Sequence, residues 1–256
     1  MSVTAHIVRL LFAITLLFTT LPVSGATAFK NETLHYVISY KWGLIHKDAG
    51  EATLSLRQSG NNYNVMLAAR TKPWADKVYM VRDTLLSTIR MNALVPLKYE
   101  KITREKGKYG RDVITYSKSG NTTTGYCKRY KEKNGKVSES SRNLSATGPV
   151  YDMLSVFYYL RQLDYDRLSK NKAYQATVFS GSKKETVTIR SLGIEKIKLR
   201  NKTTHRAYHV KFNFTQEGGK KSSDDIDVWI STDSSHVPLY LTAGLPIGQV
   251  RAYLIP

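Results

Sequence analysis

The densest acidic group in the chain is Asp224, Asp225 and Asp227, whose carboxylate oxygens are the ligands that hard cations prefer. A calcium loop needs further oxygen ligands at set positions, and it usually has a glycine in its centre. That pattern is incomplete around these aspartates. We therefore interpret them as the solvated beginning of a strand and predict no metal site here.

His205 and His209 are four residues apart, so they share one face of a strand. A structural zinc site takes four ligands, and a catalytic site takes three with one open position. No cysteine or further histidine clusters with this pair in the sequence. The sequence therefore predicts no metal and no cofactor.

Two potential nucleophiles, Ser155 and Cys127, lie outside any catalytic motif. Ser155 follows Asp152 in an apolar stretch, and the chain contains no G-x-S-x-G sequence. Cys127 is the lone cysteine, so it cannot form an internal disulfide, and no histidine is near it in sequence. We expect Cys127 to be a buried apolar side chain on a strand. We predict no catalytic residues and no enzymatic activity.

Aromatic side chains beside cations form a more informative pattern, since the chain has 17 tyrosines and 3 tryptophans. On a predicted loop, Lys72 to Tyr79, Trp74 stands between Lys72 and Lys77, and Tyr79 follows Lys77 by two residues. Exposed rings with neighbouring cations suit sugar rings, lipid headgroups or a partner protein. The alternative is that these rings seal the ends of a sheet. The residues that we predict to bind a ligand are Trp42, Trp74, Tyr79, Leu154, Phe157, Tyr158 and Trp229.

One stretch of the chain has helical periodicity. Thr147, Gly148 and Pro149 suit a helix start, because Pro is favoured at the first helical position. A wide apolar stripe follows, made of Val150, Met153, Leu154, Phe157, Tyr158 and Leu160. The spacing predicts one principal helix over Val150 to Leu160. A sheet must cover that stripe, because it would otherwise face water.

The remaining segments alternate in the manner of β-strands. The C-terminal part predicts strands at Ile226 to Ser231, Val237 to Thr242 and Gln249 to Leu254, and Lys77 to Arg90 reads as one long strand. Asn134-Gly135 indicates a hairpin in a heavily charged segment, which we expect to be a solvated edge. The fold class predicted is mainly β (α+β). One large, strongly curved antiparallel sheet, an open or half barrel of about eleven to thirteen strands, would wrap around the helix.

Residues 1–28 have the features of a secretory signal peptide. Arg9 precedes an apolar run that ends at Leu21, and Ala26-Thr27-Ala28 fits a cleavage site, with Val23-Ser24-Gly25 as a rival. The run is shorter than the roughly 20 residues that span a bilayer, so we favour cleavage over a retained anchor. Residues 29–256 are then expected to form a single β-rich exported domain, with no transmembrane segment in the mature chain.

Lys and Arg outnumber Asp and Glu by 39 to 20, which gives a formal charge of +19. Such an excess speeds encounter with anionic partners. For an exported protein these are lipid headgroups, lipopolysaccharide phosphates or an anionic glycan, whereas nucleic acid is a poor fit. The alternative is a solvated basic surface that its host's proteins share.

Seven segments carry a resemblance to a known family: Asp152 to Ser155, Tyr159 to Arg161, Val81 to Thr84, Pro96 to Tyr99, Val228 to Ser231, Val237 to Leu239 and Gly248 to Val250. They are similar to an exported bacterial family catalogued as domain of unknown function 3108 (DUF3108). The resemblance covers about Phe29 to Leu254, and it implies a periplasmic protein of Gram-negative bacteria with no established catalytic residues. The architecture is also similar to LolA/LolB-like lipoprotein carriers, in which an incomplete β-barrel cups a hydrophobic cavity behind helices. This chain departs from those carriers in its one main helix and its basic charge.

Together these features predict a non-enzymatic periplasmic protein of the cell envelope. It would bind an apolar or acyl-chain ligand, a lipid or lipoprotein, in the concave side of the curved sheet. The alternative is an envelope scaffold or glycan-binding module that acts through exposed aromatics and a basic surface.

Overall fold

The computed structural model describes residues 28–170, 172–245 and 248–255. The predicted signal peptide, apart from Ala28, lies outside the described residues. Within them the chain forms two helices, α1 (Pro73–Tyr79) and α2 (Ser155–Arg161), and fifteen strands. The strands are β1 (Glu32–Trp42), β2 (Ile45–Ser59), β3 (Asn62–Thr71), β4 (Val81–Arg90), β5 (Pro96–Glu105), β6 (Lys108–Ser119), β7 (Thr122–Lys133), β8 (Lys136–Thr147), β9 (Val150–Tyr151), β10 (Ala173–Ser180), β11 (Lys183–Lys198), β12 (Thr204–Gln216), β13 (Ile226–Ser231), β14 (Pro238–Gly244) and β15 (Gln249–Ile255).

All fifteen strands belong to one sheet, in the order β8-β7-β6-β5-β4-β3-β2-β1-β15-β14-β13-β12-β11-β10-β9. The two edge strands, β8 and β9, are separated in sequence by Gly148 and Pro149 alone. Consecutive Cα atoms are about 3.8 Å apart, so this link holds the two edges of the sheet close together. The sheet is therefore curled into a barrel-like shape, which confirms the prediction of a mainly β, strongly curved sheet.

The link between the edges is itself fixed by hydrogen bonds. The Gly148 N–H donates to the Asn121 carbonyl oxygen at 2.7 Å, and the Thr123 hydroxyl donates to the Gly148 carbonyl oxygen at 2.8 Å. Gly148 has a φ of +85°, a conformation that costs glycine little. The sequence Thr-Gly-Pro thus ends β8 with a turn into β9 rather than beginning a helix.

The interior is filled by the inward-facing side chains of the strands. In β4 every second residue is buried, from Val81 to Ile89. The two ends of the sheet meet inside, because the Tyr116 ring on β6 stacks on the Phe179 ring on β10 at 6.0 Å. A Cβ added to Gly125 on β7 would lie 2.7 Å from the Phe179 ring. The large buried residues at both ends of the sheet therefore form one continuous core.

The principal helix predicted over Val150 to Leu160 is not confirmed. Val150 and Tyr151 instead form β9, which pairs in parallel with Thr177 and Val178 of β10. Helix α2 begins only at Ser155, because the Asp152 carboxylate accepts the backbone N–H groups of Leu154 and Ser155, both at 2.7 Å. A buried strand and a buried helix face are both apolar, so periodicity alone could not separate them.

The long strand predicted from Lys77 to Arg90 is interrupted, and the predicted loop before it is helical. Pro73 occupies the start of helix α1, where its missing N–H costs nothing, and the helix ends at Tyr79. Strand β4 begins at Val81. The charged hairpin edge, by contrast, is confirmed, since β8 is an edge strand and is mostly exposed.

Candidate functional site

Trp229, one of the predicted binding residues, lies in a row of stacked rings on the outer face of the sheet. His209, Trp229, Tyr240 and Tyr253 stand directly opposite one another on strands β12 to β15. Their ring centroids are 4.5, 4.8 and 4.8 Å apart in that order. We call these four residues the ring ladder. Both faces of the Trp229 ring are covered, so it offers no open face to a sugar.

The polar atoms of the ring ladder are also paired. The Trp229 Nε1–H donates to Glu195 Oε2 at 2.9 Å. The His209 Nδ1 lies 2.8 Å from Glu195 Oε1, and its Nε2 lies 2.7 Å from Asp227 Oδ1. His205 is not part of this cluster, because its Nε2 lies 2.8 Å from the Thr203 hydroxyl. Among the described residues no group of three or more His, Cys, Asp or Glu could hold a metal ion.

Trp42 and Trp74 lie near the start of β2, and Tyr79 contacts the end of β5. The Trp74 Nε1–H donates to the Asp48 carbonyl oxygen at 2.8 Å, and the Lys47 Nζ lies 4.6 Å from the Trp74 ring. The Tyr79 hydroxyl donates to Glu105 Oε2 at 2.9 Å. Trp42, at the end of β1, is 55 % exposed. Helix α1 is thus fastened to β2, and Trp42 presents an open surface.

Leu154, Phe157 and Tyr158, which we predicted to bind an acyl chain, lie in or against the packed interior. Leu154 and Tyr158 are buried, and Phe157 packs edge-on against Tyr158 at 5.4 Å. The Tyr158 hydroxyl donates to Glu32 Oε1 at 3.1 Å, and Arg161 forms an ion pair with the same carboxylate. These contacts hold α2 against β1. The acyl-chain site remains a prediction.

Several carboxyls in the interior have perturbed pKa values. Burial raises the pKa of Glu185 to about 10, and neither carboxylate oxygen has a hydrogen-bond partner among the described residues. Burial also raises the pKa of Asp83 to about 7 and that of Asp152 to about 6. Perturbed carboxyls are typical of active sites. Glu185 is only 1 % exposed, however, so a substrate in solvent would not reach it without opening the barrel.

A groove with a volume of about 600 Å³ crosses strands β6, β7 and β8. Tyr126 is 43 % exposed in it, and the Lys128 Nζ lies 5.8 Å from the Tyr126 ring centroid. We call this the basic groove. The residues that line it are Arg111, Val113, Tyr126, Lys128, Arg129, Tyr130, Glu139, Ser140 and Ser141.

The arginines beside the basic groove are held by ion pairs, and the Arg129 side chain is directed to the inner face of the sheet, as Cys127 is. The Arg129 guanidinium donates two hydrogen bonds to the Asp112 carboxylate, both at 2.7 Å. The Arg111 Nε–H donates to Glu100 Oε1 at 2.7 Å. Lys128 is exposed. Its side chain is therefore the cation in this groove that most readily meets an anionic group.

Sequence reasoning did not single out the basic groove, although a signal for it exists. Tyr126, Lys128 and Tyr130 alternate along β7, so they must share one face of the strand. Strands β6 to β8, from Lys108 to Thr147, carry nine Lys or Arg against three Asp or Glu, a net of +6. We interpreted this segment only as a solvated edge. Its alternation of rings and cations indicates a binding surface as well.

Cys127 is buried on β7, as expected, and burial raises the pKa of its thiol to about 11. A thiol with a raised pKa is a weak nucleophile at neutral pH, because little of it is thiolate. Ser155 is also buried, and its hydroxyl accepts a hydrogen bond from the Asp152 N–H at 2.7 Å. The surroundings of Cys127 and Ser155 are therefore those of side chains that pack and hydrogen-bond within the fold.

Comparison with known proteins identifies a family and a fold. A family model described as "Protein of unknown function (DUF3108)" matches residues 35–255. The fold is similar to that of a β-barrel-like protein of domain of unknown function DUF1849 from Brucella abortus, with a TM-score of 0.59 and 10 % identity. That likeness covers 90 % of this chain and 98 % of the other, and at this identity it shows the fold alone. No curated protein matches the chain. In the described part of the chain, no helix has the length and apolar character to cross a membrane.

Proposed function

The chain belongs to the DUF3108 family, and because the family's description states no function, we propose one from the basic groove. We infer an exported, non-enzymatic protein of the bacterial cell envelope that binds an anionic saccharide on strands β6 to β8. The observation that carries this proposal is the exposed Tyr126 beside Lys128, in an open groove on a wall with a net charge of +6.

The groove supplies the two kinds of contact that such a ligand uses. The faces of Tyr126 and Tyr130 suit the apolar faces of sugar rings, and the Lys128 ammonium suits a phosphate or carboxylate. Ser140 and Ser141 add hydroxyls that can both donate and accept hydrogen bonds. The chemistry is that of a sugar with an anionic substituent, which both lipopolysaccharide and acidic polysaccharides provide.

Binding without hydrolysis fits the acidic residues of the groove. Most glycosidases flank the scissile bond with two carboxyl groups, roughly 5 to 9.5 Å apart. Of the described residues that line the groove, Glu139 is the single carboxylate. The predicted signal peptide supports export, and the family resemblance supports the periplasm as the destination.

An acyl chain in the concave side is the alternative proposal. Leu154 and Tyr158 would have to move, because both are buried in contact with the core. Delipidated protein mixed with a fluorescent fatty acid separates the two proposals. Uptake that competes with no saccharide would favour the acyl-chain site over the basic groove.

Lys128→Glu tests the groove directly. We expect this variant to bind lipopolysaccharide or an acidic polysaccharide roughly tenfold more weakly, about 1.4 kcal/mol, by isothermal titration calorimetry. Lys196→Glu is the matched control, since Lys196 is exposed on β11 and makes the same change in net charge. We expect its affinity to stay within about twofold of the wild type.

The ligands are chosen to separate the sources of negative charge. Dephosphorylated lipopolysaccharide should lose affinity if phosphate is the ligand group, and an uncharged dextran should not bind. Equal losses in Lys128→Glu and Lys196→Glu would mean that net charge alone attracts the ligand. That result, or no binding of either anionic saccharide, would refute the proposal.

A further inference from the structure

The turn between β1 and β2 exposes two large apolar side chains. Trp42 pairs with Ile45 across the hairpin, which leaves Gly43 and Leu44 as a two-residue turn. Trp42 is 55 % exposed, and Leu44 is completely exposed, at 105 %. Gly43 has a φ of +55°, the conformation that tight hairpin turns require at such positions. The turn therefore holds Leu44 at its outermost point.

Cations lie directly behind this apolar tip. Lys41, His46 and Lys47 are all exposed. Lys41 and Lys47 lie one and two positions behind the Trp42–Ile45 pair that closes the turn, which is roughly 3 to 7 Å along the strands. The headgroup layer of a bilayer is roughly 5 to 8 Å thick, and lysine side chains extend to keep their charge in it. The spacing thus matches a bilayer surface, with apolar groups deeper than cations.

We propose that the β1–β2 hairpin tip docks the protein on an anionic lipid bilayer, with Leu44 inserted among the acyl chains. Trp42 lies at the interface, where indole rings are favoured because they are apolar with one polar N–H. Lys41 and Lys47 contact anionic headgroups, and each lysine near such a surface raises affinity roughly fivefold. The chain's charge of +19 acts in the same direction.

Helix α1 supports the β1–β2 hairpin close to its tip. Helix α1 packs beside it, since the Lys72 N–H donates to the Ala49 carbonyl oxygen at 2.8 Å and Trp74 donates to Asp48. Val78 on the same helix is 68 % exposed. This docking site is separate from the basic groove, because none of its residues lines that groove. One protein can therefore hold a bilayer and a saccharide at once.

Co-sedimentation of the mature protein with lipid vesicles tests the proposal. We expect binding to vesicles of phosphatidylcholine and phosphatidylglycerol, and much weaker binding to phosphatidylcholine alone. Leu44→Glu should lower the partition coefficient about tenfold or more, because it replaces an inserted apolar side chain with a charge. The substitution is in a completely exposed turn, so folding should be unaffected.

Ile194→Glu is the matched control, because Ile194 is an exposed apolar residue on β11 and the change in charge is the same. Its partition coefficient should stay within about twofold of the wild type. Equal losses in the two variants would overturn the proposal, because they would show that charge alone drives binding. No loss in Leu44→Glu, or no vesicle binding by the wild type, would overturn it too.

Trp42 supplies a direct readout of insertion. Lipids brominated on their acyl chains quench a tryptophan that enters the bilayer, so the wild type should be quenched and Trp42→Phe much less. Equal quenching of the two proteins would place another tryptophan in the lipid and overturn the proposal. Lys128→Glu should bind vesicles as the wild type does if the tip is the main contact. A failure at the groove therefore leaves the docking test interpretable.

Discussion

Strands β12 to β15 and strands β4 to β8 are two walls of one sheet, and they use aromatic and charged residues in opposite ways. On β12 to β15 the rings stack on one another, and the ring ladder's nitrogens are paired with Glu195 and Asp227. On β7 the exposed Tyr126 has Lys128 beside it and opens into a groove. Both walls have tyrosines on their outer face, and the register across strands β12 to β15 is what stacks the rings on one another there.

The inner faces of the two walls differ as well. Strands β12 and β13 direct Phe212, Phe214, Ile226, Val228 and Ile230 into the core. Strands β4 to β7 place Asp83, Lys101, Asp112 and Arg129 on their inner face. Burial lowers the pKa of Lys101 and raises that of Asp83. Charges in a dry interior are costly, so we expect the β4 to β8 wall to be the less stable one.

Asp83→Asn should have the largest effect, and it depends on pH. Burial and the nearby Glu105 carboxyl raise the pKa of Asp83 from 3.8 to about 7, so the folded protein favours the neutral form. The contribution of Asp83 to the free energy of unfolding is therefore fully present at pH values below 3.8, and it is lost as the pH rises to about 7. The loss amounts to as much as about 4 kcal/mol. Urea unfolding from pH 4 to pH 8 should show a shallower slope in Asp83→Asn than in the wild type, because Asp152 and Glu185 keep their own pH dependence in both proteins.

Asp76→Asn provides a control of opposite sign. The Arg82 guanidinium, which donates hydrogen bonds to Asp76, lowers the pKa of this carboxyl. Its contribution is present at pH values above the normal aspartate pKa and is lost as the pH falls. Asp76→Asn should therefore cost stability at neutral pH and less in acid. Identical pH profiles for the wild type and Asp83→Asn would refute the assignment of a neutral Asp83 to the folded state.

Trp229→Ala should destabilise the protein by about 3 kcal/mol, because it removes two stacked neighbours and a hydrogen bond to Glu195. Urea unfolding at constant pH measures this loss. Trp229→Phe is the control, since it keeps a ring in the ladder and removes the N–H. Saccharide affinity per folded molecule should be unchanged in both variants. A loss of affinity with little loss of stability would mean that the ring ladder binds ligand.

The opposite outcome is expected at Tyr126. Tyr126→Ala should weaken anionic-saccharide binding roughly tenfold and cost less than about 1 kcal/mol of stability, because the ring is 43 % exposed. Tyr126→Phe retains the ring face and should retain most of the affinity. Calorimetric titration and urea unfolding of the same samples give both quantities. If Tyr126→Ala and Trp229→Ala lowered the free energy of unfolding by equal amounts, the two rings would not differ in their role in stability, and the contrast between the two walls would be refuted.

Much of this arrangement follows from sequence patterns, and the rest depends on contacts between distant strands. Alternation along β12 and β13 predicts their inner faces, and Asn134-Gly135 predicts the hairpin of β7 and β8. The apolar run from Val150 to Leu160 is ambiguous, because β9 and α2 are both buried. No pattern within a single strand could show that the Trp229 ring is stacked, because the stacking depends on how β12, β13 and β14 are aligned with one another.

The sequence also predicts part of the candidate site. Trp42 is exposed as a binding residue should be, because it lies at the end of a hairpin strand. Leu154 and Tyr158 belong to an apolar stripe, and such a stripe cannot distinguish a ligand-binding face from the protein's own core. The buried Asp83 and Glu185 had no sequence signal at all. Each lies at an ordinary inward position of a strand, and its pKa depends on burial and on charged residues that tertiary structure places nearby, such as Glu105 on β5 beside Asp83.

Cys127 is a built-in probe of the smallest expected difference between the two walls. It is completely buried on β7, so a thiol reagent reacts only when that part of the sheet opens. We expect the opening free energy from labelling rates to be below the global free energy of unfolding by roughly 1 to 2 kcal/mol. Amide hydrogen exchange of β12 to β15 should report the global value instead. If Cys127 were labelled only through global unfolding, the two walls would form one cooperative unit, and the polar inner face of β4 to β7 would not weaken its wall.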